Sequence, residues 1–79
     1  MQNKSKLQKV MSAVFNLPVD LINENSSPDN IGSWDSLKHM NLILALEEEF
    51  NVSLTEDQVV EILGFELIVE VLKEHGIEF

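Results

Sequence analysis

The sequence predicts an all-α protein, a four-helix bundle with a long first loop and a short third helix. Apolar residues recur three and four positions apart in several segments, which is the spacing of a helix with one buried face. No segment shows the strict alternation that predicts a strand. Because 79 residues with 44% hydrophobic content suffice for one core, we expect a single domain over residues 1–79.

The first helix is predicted by a one-faced apolar pattern at Leu7, Val10, Met11, Val14 and Phe15. Pro18 disfavours helical backbone in the residue before it, so this helix should end by about Leu17. The chain from there to Asp35 is rich in Asn, Ser, Asp, Pro and Gly, which predicts a long functional loop or one that holds a short helical turn. Its apolar residues are expected to anchor it to the core: Val19, Leu21, Ile22 and Ile31.

The second helix should begin at Asp35 or Ser36, because both side chains carry oxygens that accept first-turn amide protons. Its apolar residues cover an arc of roughly 220° at about 100° per residue. One-sided packing needs about half of that width, so we expect a central helix with neighbours on several sides. These apolar positions are Leu37, Met40, Leu42, Ile43, Leu44, Leu46 and Phe50.

The last two helices are separated by Gly64. Thr55-Glu56-Asp57-Gln58 has the form of a capping box and predicts the start of the short third helix. That helix is expected to carry Val59, Ile62 and Leu63. The fourth helix should end at Gly76, and its predicted apolar face consists of Phe65, Ile68, Val69 and Leu72.

Composition disfavours several classes of function. Fourteen acids against five lysines give a net charge of −9, which disfavours nucleic acid and favours partners with basic patches. No apolar run reaches the length of a membrane span, so we expect a cytoplasmic monomer. There is no cysteine, and His39 and His75 lack partners at metal-ligand spacing. We therefore expect no metal site and a surface or helix-end role for the histidines.

Ser36 places a hydroxyl at the start of this strongly apolar helix. Free amide protons and the helix dipole favour an anion there, so a phosphodiester on Ser36 would be stabilised. The alternative interpretation is a simple helix cap. A catalytic triad of Asp35, His39 and Ser36 is disfavoured, because adjacent residues diverge by about 100° on a helix and the chain has little room for a substrate pocket.

The chain resembles acyl carrier proteins over nearly its whole length. The resemblance is carried by Asp35-Ser36-Leu37, by the finish Leu46-Glu47-Glu48-Glu49-Phe50 and by Ile62-Leu63-Gly64-Phe65 before the last helix. It implies a protein that is not an enzyme. Instead the chain would carry acyl intermediates as thioesters on a 4'-phosphopantetheine arm attached to Ser36.

The resemblance also implies roles for other residues. Asp35 and Leu37 would help a phosphopantetheinyl transferase to recognise the serine. The groove that shelters the acyl chain would be lined by Leu37, Met40, Leu44, Val59 and Ile62. Basic patches on acyl-transfer or ligase enzymes would meet the acids Glu47, Glu48, Glu56, Asp57 and Glu61.

Two features depart from the usual pattern of the family. The large Trp34 replaces a small residue before the serine motif, and Lys38, His39 and Asn41 stand where acids are common. Because charge governs encounter rate and partner choice, a specialised lipid, polysaccharide or secondary-metabolite pathway is favoured. Two alternatives stay open: an aminoacyl or peptidyl carrier with the same arm, and an unmodified acidic adaptor.

Overall fold

The computed structural model describes residues 2–79, with side chains from residue 3 onward. Within this range all regular structure is helical and there is no strand, so the predicted all-α fold is confirmed. The elements are α1 (Gln2–Phe15), a 3₁₀ turn (Val19–Leu21), α2 (Ser36–Phe50), α3 (Glu56–Glu61) and α4 (Phe65–Glu74). None of these helices is long and apolar enough to cross a membrane.

Three helices end by the same device, a residue in the left-handed conformation just after the last turn. Asn16, Asn51 and Gly76 have φ values of 56°, 54° and 85°. Asn and Gly tolerate this conformation better than other residues. In each case the next amide N–H donates to a carbonyl five residues back: Leu17 to Ser12, Val52 to Glu47 and Ile77 to Leu72. The predicted end at Gly76 is confirmed.

The core lies where α1, α2 and α4 meet beneath the long loop. Its fully buried side chains include Leu7, Met11, Leu42, Leu46, Ile68 and Leu72. The expectation that neighbours cover α2 on several sides is wrong for part of its apolar arc. Leu37, Met40 and Leu44 are 70%, 51% and 61% exposed. The wide arc therefore contains a core-facing part and an uncovered part.

The long loop contains the expected helical turn, but only two of its four predicted anchors are buried. Ile22 and Ile31 belong to the core, whereas Val19 and Leu21 lie on the exposed 3₁₀ turn. A three-residue turn can bury only what faces inward, and these two side chains face outward. The loop is also tied to α4, since the carbonyl of Ser26 accepts a hydrogen bond from the amide of Phe65 at 2.9 Å.

The third helix is shorter than the apolar pattern predicts. Its capping box is confirmed, because Thr55 Oγ1 accepts from the amide of Gln58 and Gln58 Oε1 accepts from the amide of Thr55. The helix ends at Glu61, so Ile62 is its C-cap and Leu63 lies beyond it. The early end changes which side chains of this segment face the surface.

Candidate functional site

Ser36 is the first residue of α2, and its side chain is exposed. Asp35 is the N-cap, with Oδ1 accepting a hydrogen bond from the amide of Lys38 at 2.8 Å. The prediction that the helix begins at this pair is therefore confirmed. With Asp35 as the cap, the Ser36 hydroxyl is not needed to cap the helix and is free for other chemistry.

The start of α2 offers unpaired backbone donors next to this hydroxyl. The amides of Lys38 and His39 are bonded to the side chain and the carbonyl of Asp35. Those of Ser36 and Leu37 have no acceptor within residues 2–79. Free N–H groups and the positive end of the helix dipole stabilise an anion at such a position. A phosphodiester on Ser36 Oγ fits this environment.

A groove of about 540 Å³ opens directly beside Ser36. One wall is formed by the end of the long loop and the start of α2, and the other by α3 and the segment after it. Three of its apolar side chains are strongly exposed, Val60 at 68% and Met40 and Leu63 at 51% each. The lining residues are Pro28, Trp34, Asp35, Ser36, His39, Met40, Val60 and Leu63.

Of the five residues predicted to line the groove, the structure places Met40 there. Leu37 and Leu44 are exposed on α2 outside its lining, and Val59 is half-buried against the core. Ile62 is fully buried in the core. Because neighbouring positions on a helix turn by about 100°, the short α3 presents Val60, and the chain after it Leu63, where Val59 and Ile62 were expected.

The sequence prediction missed five residues of the lining: Pro28, Trp34, His39, Val60 and Leu63. A signal existed for two of them, since Val60 and Leu63 are apolar and three positions apart in the segment predicted to form the third helix. Pro28, Trp34 and His39 reach the groove through tertiary packing, for which the local pattern holds no signal.

Trp34 and His39 form a hydrogen-bonded pair at the base of the groove. The Trp34 ring is buried against Phe15, with ring centroids 4.7 Å apart. Trp34 Nε1 donates to His39 Nδ1 at 3.1 Å. The other imidazole nitrogen, Nε2, lies 2.8 Å from the carbonyl oxygen of Val59. His39 is thus a half-buried bridge between α2, the long loop and α3, and not a surface residue as expected.

The predicted docking acids divide into two groups. Glu48, Glu56, Asp57 and Glu61 are exposed and accessible to a partner. Glu47 is half-buried, and its Oε2 accepts a hydrogen bond from the amide of Leu54 at 2.9 Å. Glu47 therefore holds the connection between α2 and α3 in addition to carrying charge.

No group of three or more His, Asp or Glu side chains within residues 2–79 is arranged to hold a metal ion. His75 instead caps α4, where its Nε2 lies 2.9 Å from Gln58 Oε1 on α3. This histidine therefore contributes to the contact between the last two helices, as its helix-end position predicts.

Comparison with known proteins gives a family match and similar relatives. The phosphopantetheine attachment-site family matches residues 5–72. An acyl carrier protein from Buchnera aphidicola subsp. Schizaphis graminum (strain Sg) is 35% identical over 54 residues, covering 68% of this chain and 68% of that protein. An acyl carrier protein from Buchnera aphidicola subsp. Baizongia pistaciae (strain Bp) is 30% identical over 77 residues, covering 95% and 97%.

Proposed function

The chain belongs to the phosphopantetheine attachment-site family of acyl carrier proteins, and from this premise we propose that Ser36 is its attachment residue. The family carries acyl groups on a covalent 4'-phosphopantetheine arm and is not catalytic. The observation that carries the choice of Ser36 is its exposed hydroxyl beside two unpaired amides at the start of α2.

Asp35 is proposed to have two roles, as helix cap and as recognition element for the phosphopantetheinyl transferase. One carboxylate oxygen is bonded to the amide of Lys38, and the other makes no hydrogen bond within residues 2–79. That free oxygen can help to orient the metal–coenzyme A complex of the transferase. Leu37, 70% exposed beside the serine, is proposed to add an apolar contact to the same enzyme.

The groove beside Ser36 is proposed to shelter the acyl chain while it is carried as a thioester. Met40, Val60 and Leu63 provide its apolar lining. Burial of apolar surface contributes about 25 cal/mol per Å². An acyl chain that is only partly covered by the groove is therefore stabilised there and can still leave for a partner enzyme. Met40 is thus a groove residue as predicted from the sequence, and Val60 and Leu63 take the places expected for Val59 and Ile62.

The exposed acids and the flank of the serine are proposed to select partners. Glu48, Glu56, Asp57 and Glu61 would attract basic patches on acyl-transfer or ligase enzymes. Trp34, Lys38 and Asn41 support a carrier for a specialised lipid, polysaccharide or secondary-metabolite pathway. We propose that residues 1–79 act as one carrier domain, a monomer in the cytoplasm.

Intact mass after incubation with coenzyme A and a phosphopantetheinyl transferase tests the attachment site. The wild-type chain should gain the mass of one phosphopantetheinyl group, and Ser36→Ala should gain nothing. Ser53→Ala is the matched control, because Ser53 is also an exposed serine near a helix start but does not line the groove. It should be modified like the wild type.

Two results would contradict the proposal. An unchanged wild-type mass after incubation with several transferases would show that this chain does not receive the arm. A gain in mass that survives Ser36→Ala would place the arm on another residue. Circular dichroism of both variants should match that of the wild type, so that loss of modification is not mistaken for loss of fold.

A further inference from the structure

We propose that His39 is a positioning residue that closes the base of the cargo groove and so limits how deep an acyl chain can reach. This inference rests on the proposed function of the groove. It stands on hydrogen bonds among Trp34, His39 and Val59 that can be tested on the unmodified protein. The device is a latch that consists of these three residues.

The hydrogen bonds determine which nitrogen of His39 carries the proton. An indole N–H can only donate, so His39 Nδ1 must offer its lone pair to Trp34 Nε1. A backbone carbonyl can only accept, so His39 Nε2 must donate to the oxygen of Val59. The latch thus requires a neutral imidazole with its hydrogen on Nε2.

The contact between α2 and α3 depends strongly on this latch. The bond from His39 to Val59 is the only hydrogen bond between these two helices in the described chain. α3 has six residues and packs mainly against α4, to which Gln58 bonds through Glu74 and His75. A helix this short has little stability of its own, so its position follows its tertiary contacts.

The latch lies between the groove and the core. Trp34 is 8% exposed and packs on Phe15, while Ile62 behind α3 is fully buried. With the latch closed, cargo meets Met40, Val60 and Leu63 at the surface and is kept from Val59 and Ile62. His39 thereby limits how deep an acyl chain can reach, which makes it a determinant of cargo selection.

Nuclear magnetic resonance of the unmodified full chain tests the latch. The chain contains one tryptophan, so its ¹H–¹⁵N spectrum has one indole resonance, which belongs to Trp34. In His39→Leu, whose side chain cannot accept a hydrogen bond, this resonance should move to a different position. In His39→Gln the side-chain amide can both accept and donate, so the resonance should stay closer to its wild-type position.

The matched control is His75→Gln, which removes the other histidine and should leave the indole resonance of Trp34 unchanged. The inference is overturned if His39→Leu leaves this resonance unchanged in a folded protein. Intact mass separates this inference from the proposed function. If the resonance contradicts the latch while Ser36 is modified normally, only the latch is disproved. If the latch is observed but Ser36 is not modified, only the carrier site is disproved.

Discussion

The two faces of α2 differ in how they are held. Toward α1, the face is closed by fully buried apolar side chains such as Leu46, Met11 and Leu7. Toward α3, the face holds exposed apolar side chains and the latch formed by Trp34, His39 and Val59. The first face stabilises the fold, and the second leaves a groove beside Ser36 that can open at small cost.

This difference shows how a chain of 79 residues can be stable and still handle cargo. Regions with few buried contacts open locally with a lower free energy than the global unfolding of the domain. The α1 face should therefore set global stability, and the α3 face should set access to the groove. Substitutions on the two faces are expected to change different measured quantities.

The largest expected effect separates two leucines of the same helix. Leu46 is fully buried and Leu44 is 61% exposed. Leu46→Ala should lower the free energy of unfolding by about 2–5 kcal/mol, because it removes packed atoms and leaves a cavity. The matched change Leu44→Ala should stay within about 0.5 kcal/mol. Urea unfolding followed by circular dichroism measures both, and equal losses would contradict the division of α2 into two faces.

The next effect separates the two roles of Asp35. Asp35→Ala should cost about 1 kcal/mol, because the amide of Lys38 loses its cap, and should also slow transfer of the arm to Ser36. Asp35→Asn keeps a capping oxygen and removes the charge, so it should keep the stability and lose transfer rate. Thermal unfolding and initial rates of modification distinguish the roles. If Asp35→Asn is modified at the wild-type rate, the carboxylate is not a recognition element.

A smaller effect concerns partner choice at the start of α2. Replacing Lys38 and Asn41 together by Glu should raise turnover with general fatty acid synthase enzymes several-fold, because added acids steer basic partners. The gain should shrink as salt is added, since exposed charges are screened over about 8–10 Å at ordinary ionic strength. No change in turnover would count against charge as the reason for a dedicated pathway.

The smallest effect lies at an exposed ion pair between α1 and the long loop. Lys4 Nζ lies 2.6 Å from Glu24 Oε1 and, mainly through this hydrogen bond, lowers the pKa of Glu24 from its usual value. A lowered pKa means that the pair stabilises the fold above the usual pKa of glutamate and loses this effect as pH falls through the lowered one. Lys4→Ala should return the pKa of Glu24 toward its usual value, as a carbon-detected titration would show. Lys9→Ala, which changes an exposed lysine of the same helix, should leave it unchanged.

Sequence predicts the parts of this molecule that depend on local chemistry. Asp35 and the capping box at Thr55 and Gln58 define helix starts through bonds within a single turn, and Gly76 ends α4 through its own backbone freedom. Because these signals are local, the four helices and the position of Ser36 at the start of α2 could be predicted. Val19 and Leu21 failed as anchors because burial in a loop depends on which side of the turn packs.

The groove could not be predicted in the same way, because it is made by contacts between distant segments. The early end of α3 moved Ile62 into the core and left Val60 and Leu63 at the surface. The bond between Trp34 and His39 forms on a Trp34 ring that is packed against the distant Phe15, and the local sequence predicts no such contact. Side-chain direction at the ends of short helices is therefore the information that the sequence pattern lacks.

The central claim is that Ser36, and no other serine, bears the arm. Fragment mass spectrometry of the modified wild-type chain tests it most directly, because it locates the added group on one residue. The account predicts that the phosphopantetheinyl mass is found on the fragments that contain Ser36 and on no fragment that lacks it. A modified fragment without Ser36 would contradict the account.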